Sequence, residues 1–335
     1  MDRYQRQSIL PQIGAEGQRR LRAARVLVVG CGAIGSVAAE QLTRAGVGVL
    51  RIVDRDVVEL TNLQRQVLFD ESDAREGLPK AVAAARRLAR INSDVSIEPH
   101  VADVDGENIE TLVDAAQLII DGTDNVETRY LINEASVKRA IPWVYGACVG
   151  TEGRVLAIRS NGGPCLRCIF PTPPQPDELP TCDTAGVLGP AAAVVGALQA
   201  ATAIKLLVGA GDGIAEMVSL DLWSSRVKTI NTAGAKRADC PTCGRRRFEF
   251  LGRAPRDATA RLCGRNAVQV RGSAPLSLDR LADRLGTRAV RTEHLVRATV
   301  DGGIELTAFS DGRVIVHGTG DVARARSIYA RFIGA

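Results

Sequence analysis

The sequence predicts an α/β protein whose main part is a doubly wound, mostly parallel sheet, followed by a small α+β domain. Three observations lead there. A short apolar run, a glycine turn, a helical pattern and a second apolar run succeed one another between Arg25 and Asp54. Apolar runs then alternate with helical patterns as far as Gly146, as in a sheet covered by helices. After Cys243 the composition changes to Gly-Arg-Arg-Arg-Phe, which reads as a linker, and the remainder carries its own strands and helices. The expected domains are therefore residues 1–250 and 251–335.

Residues 1–24 are a polar, arginine-rich lead-in with helical character. Arg25-Val-Leu-Val-Val29 is a short strand, Gly30-Cys-Gly-Ala-Ile-Gly35 the turn, and a helix runs on to Arg44. Val49–Val53 is the second strand, ending in Asp54. Further strands are expected at Val95–Val101, Leu118–Ile120 and Pro142–Gly146, with helices at Lys80–Ile91, Gly106–Ala115 and Asn125–Arg139. Residues 153–159 and 216–222 read as added strands on the far side of the sheet. Val187–Val208 is long enough to span a bilayer, but Gly189, Pro190, Gln199, Thr202 and Lys205 make it a helix buried in protein, with Pro190 in its first turn. The tail should form a compact βαβ-type module: strands at Ala267–Val270, Leu295–Val300, Ile304–Phe309 and Val314–Val316, with helices at Leu276–Leu285 and Asp321–Phe332.

Composition excludes several classes. With 45% hydrophobic and 24% charged residues the 335-residue chain is globular. A net charge of +5 is too diffuse to propose nucleic acid or a membrane surface as partner. Eight cysteines in 335 residues are too sparse for a disulfide scaffold, and the N-terminus lacks a secretory apolar stretch, so a reducing cytoplasm is expected. Thiols there mean metal, catalysis or core filler.

The glycine turn carries the first chemistry. Gly30, Gly32 and Gly35 allow a tight turn, close approach of backbone to phosphate and close helix packing. The helix N-terminus after the turn favours an anion. Asp54 can accept from a ribose hydroxyl. The residues after Asp54 favour a triphosphate over a dinucleotide: a long polar loop with Asn62 and Arg65, then Lys80. Arg65 can grip two phosphate oxygens as a fork and Lys80 acts as a point charge. Asp124, in Asp121-Gly-Thr-Asp-Asn125, is placed to hold magnesium.

The cysteines carry the second. Cys165-Leu-Arg-Cys168 and Cys240-Pro-Thr-Cys243, 71 residues apart, supply four thiolates, enough for a closed tetrahedral zinc site. Such a site would be structural, clipping the Pro-rich loop after Pro164 to the end of the main domain. A redox CxxC is the competing reading, weakened because neither pair is expected to open a helix after a strand. Cys31, Cys148 and Cys263 read as filler. Cys182, in Pro180-Thr-Cys-Asp-Thr-Ala-Gly186, gains a lowered pKa if its segment caps the buried helix. His100, His294 and His317 form no catalytic pair.

Taken together, Arg3-Tyr-Gln-Arg-Gln7, the glycine turn, Asp54-Arg-Asp56, Thr61-Asn-Leu-Gln-Arg-Gln66, Pro79-Lys80, Thr123-Asp-Asn125, the paired CxxC and Thr181-Cys182…Ala185-Gly186 resemble the ThiF/MoeB/HesA family of adenylyltransferases, relatives of the ubiquitin-activating enzymes. The resemblance covers residues 1 to about 250, and the tail looks like that of the longer ThiF-type members. It implies a Rossmann-like fold and a set of roles. The backbone near Gly30, Gly32, Ala33 and Gly35 and the side chain of Asp54 would bind adenosine, with Asp56, Thr61, Gln64 and Asn125 lining the same site. Asn62, Arg65 and Lys80 would bind phosphates and Asp124 magnesium. Arg6 would reach the triphosphate of the other subunit, making a homodimer. Cys182 would join the activated carrier through sulfur.

The implied reaction is ATP-dependent adenylation of the C-terminal Gly-Gly carboxylate of a ubiquitin-like sulfur carrier, for the thiazole half of thiamine. A cysteine desulfurase or another donor would supply the sulfur. A carrier for molybdopterin synthesis or tRNA thiolation would use the same chemistry. Two remoter readings are an NAD- or FAD-linked oxidoreductase and a non-catalytic docking platform.

Overall fold

The computed structural model describes residues 3–159, 162–174, 181–210, 216–253, 259–262, 266–272 and 274–334. The chain falls into two compact units, Met1–Ala254 and Pro255–Ala335.

In the first unit, strands β1 (Arg25–Val29), β2 (Val49–Asp54), β3 (Ser96–Val101), β4 (Leu118–Asp121), β5 (Trp143–Val149), β6 (Glu152–Ile158), β7 (Glu216–Asp221) and β8 (Arg226–Asn231) form one sheet. Its order is β3-β2-β1-β4-β5-β6-β7-β8. The first five strands run parallel, and β6 to β8 add as antiparallel neighbours. The helices are α1 (Gln5–Ser8), α2 (Gly14–Ala23), α3 (Gly35–Ala45), α4 (Glu71–Glu76), α5 (Lys80–Ile91), α6 (Ile109–Leu112), α7 (Val126–Arg139), α8 (Leu166–Ile169), α9 (Cys182–Ala185) and α10 (Gly189–Leu207).

Two cores lie against this sheet. One joins Val26, Val28, Leu50 and Ile52 to α3, α5 and α10; the other joins Leu27, Ile119, Trp143 and Leu156 to α7. This two-sided burial explains why the central strands are continuous apolar runs. Helix α10 is long and apolar enough to span a membrane, yet Ala191, Ala192, Val195, Gln199, Ala200 and Ala203 are buried in the core of this unit.

Several expectations change. The helix expected at Gly106–Ala115 shrinks to α6, because Asp105 and Asn108 spend their side chains on local backbone groups and Ala115 turns to φ 60°. Strand β8 has no counterpart in the sequence reading: all six residues are exposed, so no buried face marks it. The residues that follow the stretch read as a linker are tied down. The Glu134 carboxylate accepts from the backbone N–H of Glu249, Phe250 and Leu251 at 2.7–3.1 Å, and Phe250 is buried beside Tyr130.

The second unit is not a βαβ module. Strands β9 (Thr259–Leu262), β10 (Ala267–Arg271), β11 (Ala289–Arg291), β12 (Leu295–Val300), β13 (Ile304–Phe309) and β14 (Arg313–His317) form an antiparallel sheet ordered β11-β12-β13-β14-β10-β9. Helices α11 (Leu278–Leu285) and α12 (Val322–Phe332) contribute Leu281, Leu285, Ala325 and Phe332 to its core. Cys263 lies outside the described residues.

Candidate nucleotide site and metal centre

The crevice forms between β1 and β4, where the strand order reverses and helices on the two flanks leave the carboxyl ends open. Gly30 takes φ +83°, and a Cβ there would lie 2.8 Å from the Gly122 carbonyl. A Cβ on Gly35 would overlap the Gly30 carbonyl. Both glycines let the loop, α3 and the end of β4 close on one another. Gly32 differs: its open side meets only Gln66 Nε2, at 3.8 Å from an ideal Cβ. Gly32 and Ala33 beside it are half-buried. Cys31 is fully buried behind the turn, and burial pushes its thiol far up, leaving it neutral.

Asp54 ends β2 beneath this turn. Its carboxylate accepts from the Cys31 N–H at 2.7 Å and the Asp56 N–H at 2.8 Å. Burial pushes it above the ordinary carboxylate range, against the pull of Lys80. Lys80, only 3% exposed at the start of α5, donates to Asp56 at 3.1 Å. A buried ammonium needs such a partner. Arg55 bridges towards Asp103 at 3.3 Å and Asp56 at 3.9 Å. Asn62 is buried and accepts from the Glu59 N–H, fixing the turn that carries Thr61, Gln64 and Arg65. Thr61 and Gln64 are exposed. Half-buried Arg65 donates to the Thr61 carbonyl at 2.8 Å.

At the end of β4, Asp124 and Asn125 are exposed. Asn125 Oδ1 caps α7, accepting from the Glu127 and Thr128 N–H groups. Several buried residues here escape a sequence reading. Asp121 is fully buried and binds Arg129 at 3.2 Å, while Arg129 also donates to the carbonyls of Thr123 and Gly146. Gln199, from α10, donates to the carbonyls of Asp121 and Val144. Gln66, rather than its exposed neighbour Gln64, turns inward over Gly32, 4% exposed and with no partner for its Oε1. Only the Asp121…Arg129 spacing could have hinted at any of these, an acid at a strand end facing a base on the next helix.

The four sulfurs of Cys165, Cys168, Cys240 and Cys243 lie within 4.8 Å of one another. Three separations are 4.0, 3.7 and 3.4 Å, close to the ~3.8 Å edge of a tetrahedron with zinc–sulfur bonds of about 2.3 Å. Burial and the neighbouring sulfurs push the Cys165 thiol up to about 11, so a cation is needed to hold four thiolates together. Asn133 orients the first pair, accepting from the Leu166 N–H at 2.8 Å. Cys165 caps the short helix α8, contrary to the expectation that neither pair opens a helix. The convergence of both pairs, rather than their local conformation, marks the candidate metal centre.

The ThiF family model matches residues 4–242. The chain belongs to the ThiF family. It is 43% identical to the sulfur carrier protein ThiS adenylyltransferase of Bacillus subtilis, over 99% of both chains. It is 41% identical to the SAMP-activating enzyme E1 of Haloferax volcanii, over 73% of this chain and 89% of that one. Among solved structures, Escherichia coli MccB with ATP has a TM-score of 0.63 at 23% identity, over 72% of this chain and 75% of that one, a likeness of fold.

Two positions singled out by the resemblance to the ThiF family stand apart from the crevice residues. Arg6 is exposed on α1, a helix anchored by Gln7, which donates to Gln18 and to the Ala45 carbonyl. Cys182 does not belong to a cap of α10, whose N-cap is Leu188. It opens α9, capped by Thr181 and Thr184, and its side chain lies outside the described residues.

Proposed function

We propose that this chain activates a ThiS-like, ubiquitin-like sulfur carrier by adenylating its C-terminal Gly-Gly carboxylate, as a step of thiamine thiazole formation in the cytoplasm. The observation that carries the reading is the 43% identity to a ThiS adenylyltransferase over 99% of both chains, C-terminal unit included.

The chemistry needs no base. A carboxylate oxygen of the carrier attacks the α-phosphorus of ATP, the bond to the bridging oxygen breaks, and pyrophosphate leaves with the electron pair. The product is a carrier acyl-adenylate. The protein's part is positioning and charge neutralisation. Gly32 and the N-terminus of α3 offer backbone N–H groups, and Asp54 receives the ribose hydroxyls. Lys80, preset by Asp56, and Arg65, carried on the turn that Asn62 fixes, face the phosphates; Gln66 closes the cradle. Exposed Asp124 would hold magnesium, which would supply charge neutralisation at the phosphates, and its exposure suits an ion that keeps most of its waters. Arg6 would complete the site of a second copy, making the working unit a homodimer. Zinc at the four cysteines would hold the segment after β6 to the segment after β8. The Cys182 thiolate would attack the acyl carbon of the adenylated carrier, AMP leaving with the electron pair, to join the two through sulfur, with a cysteine desulfurase as the pathway's sulfur source.

Carrier-dependent exchange of labelled pyrophosphate into ATP tests the reading. Exchange with a ThiS-like carrier is expected. A folded protein that catalyses none with any Gly-Gly-ended carrier would sink it. A second reading, service to a MoaD-like or tRNA-thiolation carrier, draws on the 41% identity to MOCS3 of Culex quinquefasciatus over 72% of this chain and 55% of that one. Ranking carriers by kcat/KM separates the two.

A further inference from the structure

Helix α7 carries, on consecutive residues, one contact to each half of the four-cysteine cluster. Asn133 Oδ1 accepts from the Leu166 N–H at 2.8 Å, inside the first pair. The Glu134 carboxylate accepts from the N–H groups of Glu249, Phe250 and Leu251, on the segment that follows the second pair. Two more contacts brace the same assembly: Tyr130 Oη donates to the Phe170 carbonyl at 2.8 Å, and Arg167 meets Glu249 at 2.7 Å. Both pairs are thus tied to one helix by contacts that need no metal.

Asn133 has capacity left over. It is fully buried. A backbone N–H can only donate, so the bond from Leu166 fixes which end of the amide is oxygen. That leaves Nδ2 in the interior with no oxygen to receive its protons. The group it bears on is the sulfur of Cys165, itself buried one residue before Leu166. A thiol is a weak acceptor, whereas a thiolate draws a charge-assisted hydrogen bond. An orphaned donor in a native interior calls for a reason, and a ligand sulfur beside it supplies one.

Charge makes such a donor useful. Four thiolates around one divalent cation carry a net charge of about −2, here in a mostly buried place. The pairs' own turns share part of it: the Cys168 N–H bears on Cys165, and the N–H groups of Thr242 and Cys243 bear on Cys240. Asn133 adds a side-chain donor from outside the pairs. Groups that hydrogen-bond a metal ligand orient it and tune the metal. We infer that Asn133 is a positioning residue of the metal centre, its Oδ1 holding the first cysteine turn while its Nδ2 donates to the metal-bound Cys165 thiolate, fixing that sulfur's direction and drawing charge from it. This rests on the zinc reading above.

The test combines the zinc affinity of the full-length protein, measured by competition with a chelator, with the spectrum of its cobalt-loaded form. Asn133→Asp keeps an acceptor for the Leu166 N–H but loses the donor; Asn133→Leu loses both. Each should lower zinc affinity about ten- to a hundredfold and move the sulfur-to-cobalt charge-transfer band to lower energy, since a thiolate without its hydrogen bond gives up electron density more readily. Tyr130→Phe loosens the same helix without touching a sulfur, and should leave band and affinity as in wild type. A band unmoved in both Asn133 variants overturns the inference even where affinity falls, because Asn133 then acts through the fold alone. Should neither variant fold, the cadmium-loaded wild type decides: magnetic coupling between the Asn133 side-chain amide proton and the cadmium nucleus, carried through the Cys165 sulfur, is expected, and its absence overturns the inference. A wild type that binds no zinc is the separate failure of the metal reading, and the inference falls with it.

Discussion

Lys80 and Arg129 show how buried charge divides the work at the crevice. Lys80 is held by the Asp56 carboxylate and pulls on Asp54, and it is the cation proposed for a phosphate. Lys80→Ala should lower exchange activity about a hundred- to a thousandfold, the range for losing one preorganised charge at a reacting centre; steady-state kinetics at saturating ATP checks this. Arg129 is instead consumed by Asp121, Thr123 and Gly146. Arg129→Met leaves the Asp121 carboxylate buried and unpaired, so urea unfolding should show a loss of about 3–5 kcal/mol. Pairing that change with Asp121→Asn should recover part of it. The sequence displayed Lys80 because lysine is scarce in this chain and comes after a polar loop. It hid Arg129 because one arginine among many carries no mark, and it hid Gln66 because only the turn geometry decides which of two glutamines points inward.

Among the elements, the glycine turn and the central strands were legible, since their burial imposes an apolar pattern. Strand β8 and residues 247–253 were not. The first is exposed on both sides; the second is held by a helix carboxylate more than a hundred residues away in sequence. Glu134→Leu should release residues 249–251, costing about 1–3 kcal/mol for the orphaned donors and appearing as faster amide exchange at those three positions. At the other edge of the sheet, burial alone would raise the Glu98 carboxyl, but Arg51 and Arg25 outweigh it and hold it below its ordinary value. That contribution is present above the ordinary carboxylate range and lost as pH falls through the depressed value. The difference in urea midpoint between wild type and Glu98→Gln should thus shrink as pH is lowered from about 7 to about 3.

For the whole molecule, each of the two units has its own apolar core, and calorimetry should resolve two transitions. Stripping metal with a chelator should lower the transition of residues 1–254 and leave that of the C-terminal unit in place, with one zinc released per chain. The four-cysteine cluster was legible because two tight cysteine pairs supply the four thiols that a tetrahedral metal site needs. The C-terminal unit was legible in its strands but not in their pairing, since strand order depends on contacts the local pattern does not record. The chain moves AMP onto a carrier's terminal carboxylate, and that transfer can be observed by following each phosphorus of ATP. Incubation with a ThiS-like carrier and ATP labelled separately at the α and γ phosphorus should place the α label on the carrier and the γ label in pyrophosphate. Release of the γ label as inorganic phosphate, with no label on the carrier, would contradict it.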